Sequence, residues 1–337
     1  MDKPKKTKTG QYSTAEDVLS YLAKDHTIIS DILEWRSIIK LSNTYIEALP
    51  QQVNPNSNRV HTIYNQAVAA TGRLSSNHPN LQNIPIRTKR GRSVRKAFVP
   101  CDDDHVLLAA DYSQIELRVI ASLSGDTEMQ EAFTKGEDIH ASTAAKVFNV
   151  SLDEVTREQR GQAKTVNFGI IYGVSAFGLS NQTNLSRRES KALIDAYYET
   201  YPQLKAYMHQ QVDFARENGY VETVLGRRRY LKDINSQNAV VRGASERNAV
   251  NAPIQGSAAD IIKIAMLRIH KKLDRFSSKM LLQVHDELVF DAKKLKVHGG
   301  ILRVYAAQYK RPLSKNLSKL LKKENDKNIV KKIKYLN

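Results

Sequence analysis

The sequence predicts an α+β chain in which a small antiparallel sheet is set among helices. Three observations carry this. Residues 106–110 are a continuous apolar run ending at Asp111, the pattern of a buried strand. Two further apolar runs, 279–284 and 288–290, bracket His285-Asp286-Glu287 as a strand pair around a turn. Between these, residues 115 to about 275 read as mostly helical.

Residues 1–12 are basic and polar and read as disordered or as cut from something larger. Ser13-Thr14-Ala15-Glu16 reads as a capping box opening a helix to about Leu22. A longer apolar-periodic helix is expected from about Thr27 to Leu49, ended by Pro50 and the Asn/Pro-rich stretch 53–59. Short strands and loops follow from Val60. Within the helical region, Ser186-x-x-Glu189 marks a second capping box and Pro202 a first-turn proline. Gly226 followed by residues 227–230 suggests a basic hairpin. There is no internal repeat. The last 37 residues hold eleven Lys or Arg against two acids, Glu324 and Asp326.

The chain has 337 residues, 41% of them hydrophobic, enough for a substantial core and two or three subdomains. Its 52 basic side chains outnumber 35 acidic ones, giving a net charge of +17. Such an excess favours a polyanionic partner, either nucleic acid or an anionic membrane surface; a solvated basic surface is the alternative. Cys101 is the single cysteine, so an internal disulfide and a Cys-rich zinc site are excluded. No apolar stretch follows the basic N-terminus as in a signal peptide, and no run reaches the roughly 18 apolar residues of a membrane span. A soluble protein of the reducing cytoplasm is expected, with no membrane partner.

The informative acids are Asp111, Asp286 and Glu287. A lone acid at a strand end usually faces solvent. Two that meet across one sheet, about 3–4 Å apart, repel and need a cation between them. Hard oxygen ligands suit Mg²⁺, and a pair of such ions can serve an in-line displacement at phosphorus. Arg160, Lys164, Phe168 and Tyr172 recur every four residues and share one broad helix face. The cations and the helix dipole favour a polyphosphate, and the aromatics suit a base or a sugar. A basic solvent edge beside an aromatic core edge is the plain alternative.

These residues carry a resemblance. The run Asp111-Tyr112-Ser113-Gln114-Ile115-Glu116-Leu117-Arg118 resembles motif A of family A DNA polymerases, of the bacterial DNA polymerase I type. Arg160 through Gly173 resembles motif B, and Gln283-Val284-His285-Asp286-Glu287 resembles motif C. Thr71-Gly72-Arg73, Asp138-Ile139-His140 and Asn251-Ala252-Pro253-Ile254-Gln255-Gly256 also occur in the family's order, and the similarity runs from about Lys6 to about Lys294. The resemblance implies an antiparallel palm sheet, a helical fingers subdomain and a monomeric DNA polymerase acting on primer-template DNA and deoxynucleoside triphosphates. It implies that Asp111, Asp286 and the Tyr112 carbonyl bind two Mg²⁺ ions, with Glu287 in support. Arg160, Lys164 and His140 would hold the triphosphate, and Lys164 would protonate the leaving pyrophosphate. Phe168, Tyr172 and Gln114 would contact the nucleotide, and Glu116 would block a ribose 2′-hydroxyl. Arg73, Gln255, Asn251, Arg247 and His285 would contact DNA. Minor-groove acceptors are nearly alike for every base pair, so donors there test pair geometry without reading sequence.

The implied organisation is a thumb-base remnant with connecting helices (1–55), palm (56–124), fingers (125–245), palm again (246–294) and an atypical basic tail (295–337). Three departures stand out. Gly161 replaces a usual second Arg. The long thumb helices are largely missing, which would weaken grip on duplex phosphates. The tail lacks the family's closing stretch, as expected of a shifted reading frame; a nucleic-acid-binding tail is the competing reading. The rival functions are a catalytically inactive DNA-binding remnant and a single-subunit RNA polymerase, against which Glu116 speaks.

Overall fold

A computed structural model describes residues 5–7, 9–86, 88–183, 185–294 and 332–335. They fall into two compact units. One holds the described residues up to Tyr64 together with Ser76–Val99; the other holds Asn65–Ser75 and the described residues from Pro100 onward.

In the first unit, α1 (Glu16–Leu22) buries Val18 and Leu19 and packs against α2 (Thr27–Leu41). The expected capping box at the start of α1 does not form. Ala15 is the N-cap, and the Ser13 hydroxyl instead accepts from the Ala15 N–H at 3.3 Å, one residue too early to cap the helix. The long helix expected to Leu49 is interrupted by a π-helical turn, Ser42–Ile46, before α3 (Ala48–Gln51). Pro50 lies inside α3 rather than after it, because a first-turn residue has no intrahelical N–H bond to lose. Short strands β1 (Val53–Asn54) and β2 (Arg59–Val60) pair in a tight hairpin, in which Asn58 takes a positive φ of 51°. β3 (Ile63–Asn65) and β4 (Ser75–Asn77) lie where the chain leaves and re-enters this unit. In α4 (Lys89–Val94) Thr88 caps the Gly91 N–H at 3.0 Å.

The second unit contains β5 (His105–Asp111), α5 (Ile115–Ser124), α6 (Thr127–Lys135), α7 (Ile139–Val147) and α8 (Arg157–Ile171). Then come α9 (Ala176–Ser180), α10 (Arg187–Thr200), α11 (Pro202–Asn218), β6 (Tyr220–Glu222), β7 (Arg228–Tyr230) and α12 (Ala239–Leu273). It ends with β8 (Lys279–Val284), β9 (Glu287–Lys293) and β10 (Lys332–Tyr335). Its main sheet has the order β10-β5-β9-β8, with every neighbouring pair antiparallel. The expected α+β class and antiparallel sheet are both present. Leu117 and Ile120 of α5, Ile170 of α8, Ile254 of α12 and Leu288 of β9 are almost fully buried in one core that ties the helices to this sheet.

The Ser186–Glu189 capping box and the N1 proline Pro202 stand as read. The basic hairpin is β6–β7. Two further boxes, Ser151 with Glu154 and Thr156 with Gln159, escaped the reading although their S/T-x-x-E/Q pattern was there to see. Of the atypical tail, residues 332–335 form β10 along β5; the rest of that expectation lies outside the described residues.

Gly161 sits exposed in α8, and a Cβ built on it would meet nothing within 4 Å. Gly161→Ala is therefore expected to stabilise the chain by about 0.5–1 kcal/mol. Urea denaturation of the two proteins checks this; an unchanged midpoint would mean that α8 is not continuous through this position.

Candidate active site

The register of β5 against β9 sets Asp111 opposite Glu287. The Tyr112 N–H then donates to the Asp286 carbonyl at 2.9 Å, which brings the two strand ends carrying the acids together. Glu287 was expected in the turn. It is instead the first residue of β9 and pairs with both Asp111 and Val284. The backbone is left-handed at Gln114, the N-cap of α5 three residues after Asp111, and at His285, next to Asp286, with φ of +57° and +56°. Such values are uncommon for residues with a Cβ and gather at functional sites. The Gln283 amide donates to the His285 carbonyl, fixing the second of these turns.

Burial, and then the Glu116 carboxylate, push Asp286 up to about 6; Arg73 opposes this and Asp111 adds to it. A carboxylate held up by other carboxylates is a place where a hard divalent cation relieves repulsion. The donor set of Asp111, Asp286 and a backbone carbonyl fits such an ion.

Glu116 is buried, with 4% of its surface exposed, in the first turn of α5. Arg73 forms an ion pair with its Oε1, and the Tyr172 hydroxyl donates to its Oε2 at 2.8 Å. Burial first, and then this carboxylate, push the Tyr172 phenol up. Arg73 is in turn positioned by Arg227. That guanidinium donates to the carbonyls of Thr71 (2.8 Å) and Gly256 (3.1 Å) and to Asp260 Oδ1 (3.0 Å). A Cβ on Gly72 would stand 2.5 Å from the same guanidinium at a φ of +78°, and one on Gly256 would stand 2.5 Å from the Thr223 methyl and 2.8 Å from the guanidinium, so positive φ favours glycine at the first and close approach at the second.

The face of α8 carries Arg160 and Lys164, both exposed, then Phe168, and ends at its C-cap Tyr172. Thr156 and Gln159 cap its start reciprocally. Arg160 donates to Asp138 Oδ2 through Nε (3.1 Å) and a terminal nitrogen (2.7 Å). Asp138 also caps α7 by accepting from the N–H groups of His140 and Ala141. Burial raises the Asp138 pKa, but Arg160 and these amides together leave it lowered. His140 is buried, with its ring centroid 5.7 Å from that of Phe168. Burial, aided by Arg160 and Lys164 against Asp138, pushes it down to about 4, so it is neutral at pH 7. Asn167 Nδ2 lies 3.1 Å from His140 Nδ1 and 3.1 Å from Thr143 Oγ1, and its Oδ1 accepts from Tyr197 at 3.0 Å.

The family model described as DNA polymerase family A matches residues 1–306. The chain belongs to that family. The match extends beyond Lys294, where the resemblance was expected to stop. DNA polymerase I of Bacillus caldotenax is 54% identical over 293 residues, covering 86% of this chain and 33% of that protein. DNA polymerase I of Bacillus subtilis (strain 168) is 53% identical over 295 residues, covering 87% of this chain and 33% of that protein. Among solved structures, the POL domain of Pol1 from M. smegmatis, in complex with DNA primer-template and dNTP, matches with a TM-score of 0.80 and 47% identity. That match covers 87% of this chain and 52% of the other. The chain spans about a third of the length of the curated relatives it matches.

In this family A chain, the remaining residues singled out for DNA contact lie along α12. Gln255 is buried, within reach of the Tyr172 hydroxyl. Asn251 keeps a buried Oδ1 to which nothing donates among the described residues. Arg247 is exposed and lies over Gly173, whose φ is +68° and whose Cβ would stand 2.6 Å from the Arg247 stem. A depression lined by Arg73, Leu74, Lys263, Gln283, His285 and Asp286 lies between the β8–β9 turn, the 65–75 segment and α12. Asp138, Asn167 and Arg227 escaped the search for site residues because each acts through another side chain. Their signal was only their place beside His140, in the motif B helix and in the basic hairpin.

A raised carboxylate pKa means the folded state holds its proton more tightly than the unfolded chain does. Stability from this group is present below about 3.8 and is lost as pH rises through about 6. Asp286→Asn, a neutral mimic, should match the parent at pH 4 and exceed it at pH 8 in metal-free buffer. Guanidinium midpoints at the two pH values decide it; equal midpoints at pH 8 would show that Asp286 is not strained.

Proposed function

We propose that this chain is the catalytic portion of a template-directed DNA polymerase, which joins a deoxynucleotide to a primer 3′-hydroxyl. The observation that carries this reading is the meeting of Asp111 and Asp286 at adjoining strand ends, with Asp286 held up by burial and then by its acidic neighbours. The family and the solved relative bound to primer-template and dNTP support it. Two Mg²⁺ ions held by Asp111, Asp286 and the Tyr112 carbonyl would activate the attacking hydroxyl and steady the leaving pyrophosphate.

The chain's own residues do the rest by positioning and by charge. Arg160 and Lys164 neutralise the triphosphate at the start of α8, with Arg160 exchanging its hold on Asp138 for phosphate. His140, kept neutral, can donate a hydrogen bond there without adding charge. Lys164 would protonate the leaving pyrophosphate. Phe168 and Gln114 bound the nucleotide sugar, and Tyr172 borders the new pair. Glu116, pinned by Arg73 and Tyr172, closes the space a ribose 2′-hydroxyl would need. Arg73, Gln255, Asn251, Arg247 and His285 face the primer-template and offer minor-groove donors. The chain acts as a cytoplasmic monomer in this reading. Among the described residues no helix is long and apolar enough to cross a membrane.

Primer extension with Mg²⁺ and four dNTPs, beside an Asp286→Asn control, tests the reading. Extension that the control abolishes is expected; extension equal in both would refute the assignment of the acids. Glu116→Ala should shift the preference toward ribonucleotides by on the order of a hundredfold. An unchanged dNTP-to-NTP ratio would remove Glu116 from sugar selection.

A further inference from the structure

At the far end of the β5–β9 ladder from Asp111, a second group of ligating side chains comes together. Cys101, Asp102 and His105 each offer one atom, and all three atoms lie within 4.8 Å of one another. Cys101 and Asp102 are exposed while His105 is buried, so the group opens to solvent on one side. Asp291 of β9 closes the other side. Its Oδ2 accepts from the Cys101 N–H at 3.1 Å, and the Cys101 thiol faces the carboxylates of Asp291 and Asp102. Asp291 is 6% exposed, yet among the described residues nothing donates to its Oδ1. A buried carboxylate oxygen without a donor is costly, and a cation beside it removes that cost.

We propose that Cys101, Asp102 and His105, with the Asp291 carboxylate beside Cys101, bind a thiophilic divalent cation of the Zn²⁺ type. The ligand set is one thiolate, one imidazole and the Asp102 carboxylate, with the Asp291 carboxylate next to the thiol. Sulfur and imidazole nitrogen select Zn²⁺ over Mg²⁺ or Ca²⁺. Ligand bonds of about 2.0–2.3 Å in a tetrahedral site place ligand atoms roughly 3.5 Å apart, so the Cys101, Asp102 and His105 atoms, within 4.8 Å of one another, need to contract by only about an ångström. His105 Nδ1 lies 2.6 Å from Asp102 Oδ1, facing the cluster, while Nε2 lies 3.3 Å from the Ser277 carbonyl. That carbonyl fixes Nε2 as the protonated nitrogen once Nδ1 takes the metal, the outer partner that ligating histidines keep. Asp102 is itself oriented by the Asp104 N–H at 2.8 Å. On binding, the Cys101 S–H proton leaves to solvent and a metal–sulfur bond replaces it; no oxidant or reductant takes part.

Co²⁺ titration of the purified chain tests the site, because Cys101 is the only cysteine and any thiolate-to-cobalt charge-transfer band must come from it. One equivalent of Co²⁺ should give that near-ultraviolet band with four-coordinate visible bands, and Zn²⁺ should bleach both. Cys101→Ser should abolish the charge-transfer band. His105→Gln and Asp291→Asn should each raise the dissociation constant by about tenfold or more. Asp286→Asn should leave the band unchanged, separating this site from the acids at the other end of the ladder. If Asp291→Asn fails to fold, His105→Gln decides alone. Absence of the band in the parent chain, or a band of unaltered affinity in His105→Gln, would reduce the cluster to a lone thiol beside an Asp–His pair and overturn the proposal.

Discussion

Everything at the candidate active site depends on the register of β5 against β9. Asp111 and Asp286 are far apart in sequence and meet only because His105↔Lys293 and Asp111↔Glu287 are the two ends of one antiparallel ladder. A slip of one residue would turn the whole strand over, exchanging buried positions such as Leu107 and Ala109 for their neighbours. The core thus enforces a register that crowds carboxylates at one end. Burial of Leu288 and its neighbours holds together acids that would separate on their own.

Glu116 extends the same logic into the helices. A buried ion pair rarely adds much to stability, because desolvation offsets most of the attraction, but it strongly penalises any geometry that leaves the charge alone. Here the charge sits in the first turn of α5, where the helix dipole favours it. Its partners come from the 65–75 segment and from the C-cap of α8. Tyr172 can leave Glu116 only if something else takes the hydrogen bond, so the end of α8 is tied to the sheet through one carboxylate. Arg227 plays the equivalent part for the 65–75 segment, holding the Thr71 carbonyl and Asp260 at once.

Much of this was legible because chemistry and periodicity coincided in the sequence. The apolar run before Asp111 read as a strand because both of its faces are covered, and α8 read as a helix because its cations and aromatics repeat every four residues. The reading failed where local signals compete. Ser13 had the right residue type for a cap, but its hydroxyl closed a local turn instead. The apolar periodicity of α2 runs on past Leu41 while the backbone changes to a π-helical turn, which no side-chain pattern announces. Glu287 looked like a turn residue because two adjacent acids suggest solvent, yet the β8–β9 connection needs only His285 and Asp286. The Arg160–Asp138 pair and the stacking of Arg227 over two glycines are contacts between distant segments, and no single-sequence spacing encodes them.

The two ends of the β5–β9 ladder differ in chemical hardness. Six residues of extended chain, about 20 Å, separate His105 from Asp111, so a cation at one end cannot share ligands with a cation at the other. At the Asp111 end the donors are carboxylate and carbonyl oxygens, which suit Mg²⁺. At the His105 end a thiol and an imidazole stand beside two carboxylates. Affinity of mixed sites rises steeply from hard to soft divalent ions, so a soft-ligand site also draws such ions away from a hard one nearby. Placed at the start of the strand that carries Asp111, and touching the strand that follows Asp286, the Cys101 cluster can stiffen the ladder without entering the chemistry at its other end.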